Sequence, residues 1–163
     1  MENGDTINPG ALWEQWKFWG YASPYGGLCI PAPGKPNCYF MIHHAFVYEP
    51  TIVGSIPLYY TLIDMNANNG LGNVLKKNVV LLNELVEMPI AIKHGNGLDW
   101  WIIVGKWGGS SKVTVFLIDE SGIHDTGVQD FGPIPALWEG GLVQASQDGN
   151  QIVRAQYSDG ARF

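Results

Sequence analysis

Positive charge is scarce in this chain. Nine lysines and arginines face fifteen aspartates and glutamates across 163 residues, a net charge of −6. A surface of that sign repels phosphates and anionic headgroups, so neither nucleic acid nor an anionic membrane is an expected partner. Long apolar runs are missing as well. No run of about 18 apolar residues is present, so no helical membrane insertion is expected. Met1 is followed at once by Glu2, Asn3, Gly4 and Asp5, which supplies neither the basic nor the apolar region of a secretory leader. Cysteine is limited to Cys29 and Cys38. They flank the Pro31 to Pro36 turn, offset rather than opposite, so a pair of buried thiols and a bridge across a loose turn both remain open.

What the chain does contain is apolar sequence broken by turns. It is 46% hydrophobic and only 15% charged, too apolar for a disordered segment. Its 21 glycines and 10 prolines are spread along the length, which fits many short strands joined by tight turns.

One motif occurs three times, each as a turn leading into an apolar strand. The copies run from Ile30 to Ile42 (IPAPGKPNCYFMI), from Ile92 to Ile103 (IKHGNGLDWWII) and from Ala145 to Arg154 (ASQDGNQIVR). They recur at intervals of about 50–60 residues, near the span of a four-stranded propeller blade. Between copies the order of elements also repeats. Strands are predicted at 28–30, 38–42, 58–63 and 78–82, then at 89–93, 100–104, 113–118 and 124–131, then at 142–145 and 151–155. The third strand of each set ends in Leu-Ile-Asp, at Asp64 and at Asp119. The expected fold is all-β, a partial β-propeller of two four-stranded antiparallel blades (26–83 and 84–132) and an incomplete third (133–163). A propeller is preferred to a sandwich because the same turn-strand-turn order occurs twice and begins again.

Residues 1–25 differ from the rest. Trp13, Trp16 and Trp19 recur every third residue after Asn8-Pro9, which reads as a capped start with proline near the first helical position. A short helix or 3₁₀ turn is expected, ended by Gly20 and Pro24, with three indoles along one stripe.

The stretches Glu2 to Asp5, Cys29 to Phe40, Asp64 with Asn69 to Gly72, Lys77-Asn78 with Leu81-Leu82, Lys93 to Ile102 and Ala145 to Gly149 carry a family likeness. In that order they resemble the β-propeller found near the N-terminus of large surface proteins of gliding bacteria, which end in gliding-associated or type IX secretion sorting domains. The Lys-His-x-Asn-Gly-x-Asp-Trp-Trp segment is its most specific part. The resemblance implies a secreted or cell-surface, non-enzymatic module of a longer chain, with the leader, further blades and sorting domain lying outside this stretch. It supplies no catalytic motif. The Trp13–Trp19 stripe and the tandem His43-His44 depart from it.

The residues that could carry chemistry read mostly as structural. His43 and His44 are adjacent on a strand, so they point to opposite faces and do not chelate one metal together. His94 sits in a turn and is expected to bond backbone or a neighbouring blade. Asp64, Asp99, Asp119 and Asp148 occupy repeated turns, where a carboxylate binds local amides. No carboxylate pair suits a glycosidase, and Ser110-Ser111 lie outside any nucleophile elbow. No cofactor or metal is expected, and the chain is not read as an enzyme. Trp100 and Trp101 alternate across a strand and are expected in the core, with Trp107 and Trp138 covering edges. Trp13, Trp16 and Trp19 are the candidate ligand-binding residues, for a glycan or protein partner. A carbohydrate-binding or carbohydrate-cleaving propeller using those indoles is the rival reading, and a purely structural spacer another.

Overall fold

The computed structural model describes residues 1–5, 7–8, 10–20, 26–108, 110–132 and 141–156. They fall into two compact units, Met1–Glu84 and Leu85–Phe163.

The first unit is a four-stranded antiparallel meander of β1 (Gly27–Pro31), β2 (Cys38–Glu49), β3 (Ile52–Asp64) and β4 (Asn73–Leu82), each strand paired with its chain neighbours. Residues opposite one another share a face. The pairs Leu28↔Ile42, Ile30↔Phe40, Phe40↔Leu62, Ile42↔Tyr60 and His44↔Leu58 therefore define one side of the sheet. That side is the core of the unit, with Ile42, Leu58 and His44 fully buried. Strand β1 is covered on one face only, with Gly27, Cys29 and Pro31 exposed. The central hairpin is longer than expected, because β2 and β3 continue to Glu49↔Ile52. The N-terminal residues return to the far edge, where Glu2 forms a parallel bridge with Asn73.

The helical segment is α1 (Ala11–Trp16). It is shorter than the tryptophan spacing suggests, and Trp19 lies beyond it. The closing turn is made by the N–H groups of Trp19 and Gly20, which both donate to the Trp16 carbonyl. Gly10, not Asn8, holds the N-cap position, and it makes no side-chain cap. Pro9 and Pro24 lie outside the described residues.

The second unit is a second meander of β5 (Ile90–Lys93), β6 (Trp100–Gly105), β7 (Lys112–Asp119) and β8 (Gly122–Asp130), followed by a hairpin of β9 (Gly141–Ala145) and β10 (Ile152–Gln156). Strands β6 and β7 are buried on both faces, as their unbroken apolar runs predict. One of those faces, Ile103, Val113 and Val115 with Ile90, Ile92 and Trp101, packs against Ile152 of the hairpin. The outer strand β8 is polar and largely exposed, which protects a free sheet edge from pairing with another chain.

The three copies of the motif are superimposable by hydrogen bonding. Ala32, His94 and Ser146 each donate an N–H to the carbonyl of Cys38, Asp99 and Gln151 respectively. The carbonyls of the same three residues accept from Lys35, Gly97 and Gly149 three positions on. Gly97 and Gly149 have φ of 74° and 71°, a conformation that glycine adopts without a Cβ penalty. The first loop is one residue longer and solves the same problem with Gly34 and Asn37, at φ of 68° and 59°.

Among the described residues the fold is mostly β, with antiparallel sheets and no closed barrel or ring of blades. Cys29 and Cys38 are free thiols, and Cys29 is exposed rather than buried. Cys29 faces Met41 across the ladder while Cys38 lies opposite Ala32, three positions further along the chain and just past β1. At about 3.3 Å per residue the two are about 10 Å apart, beyond bridging reach.

Candidate functional site

The expected aromatic stripe divides into parts with different jobs. Trp16 points into the unit and meets Phe46 of β2 edge-on, with ring centroids 5.7 Å apart and planes at 76°. Trp13 is half-buried. With Ile7, Trp16, Lys17 and Gly20 it lines a cavity of about 160 Å³. The Lys17 ammonium lies 5.2 Å from the Trp13 ring centroid and 5.3 Å from that of Phe18, while pairing with Glu14 at 2.6 Å. The rim of the cavity is therefore close to neutral. Trp19 is not brought into it. It stands 88% exposed beside Phe18, which is 82% exposed. Phe18 is the residue that sequence reasoning missed, since the every-third-residue pattern picked out tryptophans alone.

Below this segment lies a buried polar network. The Asn8 side-chain amide donates to the His44 carbonyl at 2.9 Å, so its oxygen is left to accept. It accepts from His43 Nδ1 at 2.6 Å, which fixes the proton of the neutral imidazole on Nδ1. His43 Nε2 must then accept, and it does so from the Thr61 hydroxyl at 2.9 Å. Thr61 Oγ1 in turn accepts from the Asn78 N–H at 3.3 Å, and the Asn78 side-chain oxygen accepts from the Asn8 N–H at 3.0 Å. The ring of donors and acceptors closes. Asn8 and Asn78 hold their places with φ of 58° and 55°, which asparagine tolerates better than most residues. Burial, then the neighbouring His44, lowers the pKa of His43 to about 4.

Other concavities are made by the repeated turns. In the second unit a cleft of about 260 Å³ lies between Ile92, Lys93 and Trp100 on one side and Ser146 to Gly149 on the other. Its indole is covered, because the Lys93 ammonium sits 4.1 Å above the Trp100 ring. Its hydroxyl is engaged, because Ser146 donates to Asp148 at 2.6 Å. A hollow of about 350 Å³ at Pro31 to Tyr39 is formed by the turn itself.

No family model, no curated protein and no solved structure matches this chain.

The most motif-like stretch is accounted for by its own turn. Asn96 accepts from the N–H groups of Leu98 and Asp99, and its amide donates to the Asp99 carboxylate. His94 Nδ1 accepts from the Asn96 N–H, and its ring tilts against Trp101 at 5.2 Å. Asp64, Asp119 and Asp148 each accept the N–H two residues on.

Asp119, Ser121 and His124 form a cluster with the residue types of a nucleophilic triad but not its wiring. Ser121 Oγ and Asp119 Oδ1 both meet the same imidazole nitrogen, Nε2, at 2.8 and 3.0 Å, and Ser121 also donates directly to Asp119. A triad needs the two partners on opposite nitrogens. Here the hydroxyl and imidazole bonds, with two backbone amides, hold the Asp119 carboxyl well below its ordinary range. Among the described residues no three His, Cys, Asp or Glu side chains are grouped to hold a metal ion.

Proposed function

We propose that the chain is a non-catalytic scaffold of propeller type, acting at a bacterial cell surface, which binds a glycan or protein through the aromatic surface of its N-terminal segment. The observation that carries the binding assignment is the exposure of Phe18 and Trp19 beside the Trp13–Lys17 cavity, because large exposed aromatics gain most from being covered. The blade reading draws support from the two equivalent meanders, the three equivalent turns and the packing of the β9–β10 hairpin on the face of the second sheet. The scaffold reading draws support from the turns, where the polar residues that resemble a site are used in local bonding. The surface location, the gliding-bacteria affinity and the absence of nucleic-acid partners remain part of the same proposal.

A glycan is the favoured ligand because the Lys17–Glu14 pair leaves a charge-balanced rim with indole walls, suited to the apolar face of a neutral sugar. Binding of the intact chain to a neutral-glycan array is the expected result. Trp19→Ala is expected to weaken the strongest hit by at least tenfold, the scale of an aromatic hot spot. Unchanged binding in Trp19→Ala and Phe18→Ala alike would place the ligand elsewhere. Release of reducing ends during incubation would instead establish the carbohydrate-cleaving alternative.

A further inference from the structure

The polar network under the N-terminal segment does more than satisfy buried groups. It fastens Asn8, just ahead of α1, to the sheet, and its bonding works in one protonation state only. Toward the sheet edge, Lys77 adds a second fastening, donating to the carbonyls of Asn3 and Asp5 at 3.1 and 2.7 Å.

We propose that Asn8, His43, Thr61 and Asn78 form an acid-released latch, in which protonation of His43 frees the tryptophan-bearing segment from the first sheet. A proton on Nε2 turns the one acceptor of the ring into a second donor, aimed at the Thr61 oxygen. Thr61 already accepts from the Asn78 N–H, so its own hydroxyl proton loses its acceptor. Relief comes most readily by giving up Asn8, which lets water reach the imidazolium and the Thr61 hydroxyl, since Thr61 and Asn78 belong to paired strands while Asn8 lies outside them.

The surroundings offer the imidazolium little compensation. On β2 the neighbour is His44, which lowers the pKa of His43 further. From β3 the Tyr59 ring stacks on His43 at 5.5 Å, and its phenol stays neutral because burial raises its pKa. On β1 the facing residue is Gly27. On β4 and the segment itself, Lys77 and Asp5 pair with each other at 3.6 Å, as Lys17 and Glu14 do on α1 and just after it.

The latched state holds His43 below its ordinary value, so the released state binds the proton more tightly. Latching is fully favoured above about 6.5 and is lost as the pH falls toward 4. From well above that window to well below it, the ratio of latched to released chain is expected to fall about 300-fold. As a control on ligand access the latch rests on the function proposed above; its opening does not.

Nitrogen-15 NMR of the full chain, with no ligand present, tests this. His43 is expected as the Nδ1–H tautomer at pH 7.5. On acidification the amides of residues 10–20 should move to released positions while those of β6 and β7 stay in place. His43→Gln keeps one donor and one acceptor at every pH and should stay latched throughout. Should that variant fail to fold, the natural chain still decides. An Nε2–H tautomer at neutral pH, or residues 10–20 staying docked after His43 has titrated, overturns the latch. A failed glycan screen would leave this result untouched.

Discussion

Ile42→Ala should lower the stability of the first unit by about 2–5 kcal/mol, the range for truncating a buried aliphatic side chain to alanine. Ile42 is fully buried on the second of four strands, between Leu28 and Tyr60 across the ladder and with Phe40 and His44 two residues to either side. Its neighbours are held by their own pairing and cannot collapse onto the space left behind. Urea denaturation should show a lower midpoint with an unchanged slope, because the surface exposed on unfolding hardly alters. Ile42→Val should cost only about 0.5–1.5 kcal/mol. Leu75, which is half exposed on β4, should tolerate alanine within about 0.5 kcal/mol. Equal losses for Ile42→Ala and Leu75→Ala would mean that this face of the sheet is not a packed core.

The second unit should be most sensitive to adding one methyl group. A Cβ at Gly105 would come within 3.0 Å of the Glu87 carboxyl carbon and 3.2 Å of its Cβ. Glu87 is buried and is held in place by its own N–H, which donates to the Gly105 carbonyl at 2.9 Å. The two segments are therefore held so close that a Cβ at position 105 must displace the Glu87 side chain. Gly105→Ala is expected to cost about 1–3 kcal/mol through overpacking. A double-mutant cycle with Glu87→Ala should show the pair costing less than the sum of the singles, since removing the carboxyl relieves the clash. Strict additivity would show that the glycine is needed for another reason.

Strand order was readable because each strand announces itself through an apolar run and each turn through glycine, asparagine or aspartate. Length was harder to read. Pro50, Gly54 and Pro57 look like interruptions, yet Pro50 lies in the tight turn between β2 and β3. Pro57 falls where the ladder slips between His44↔Leu58 and Phe46↔Ser55. A proline in an irregularity gives up no ladder bond, so the hairpin runs past both. The turn aspartates and His94 were legible as structural because their bonds are local. Asn8 was not, since its partners lie 35 and 70 positions away and nothing in the local sequence distinguishes it from a helix cap. The tryptophans were legible as a group. Their division into a half-buried Trp16 and an exposed Trp19 depends on where α1 stops.

Because every strand in both meanders pairs with its sequence neighbours, the contact order of these sheets is low. Each can close while the chain is still leaving the ribosome, without waiting for a distant segment, and few sticky edges stay open during synthesis. The first residues are the exception. Glu2 must remain unpaired until Asn73 has been made, so the N-terminal strap is expected to be the last part of its unit to be sewn down.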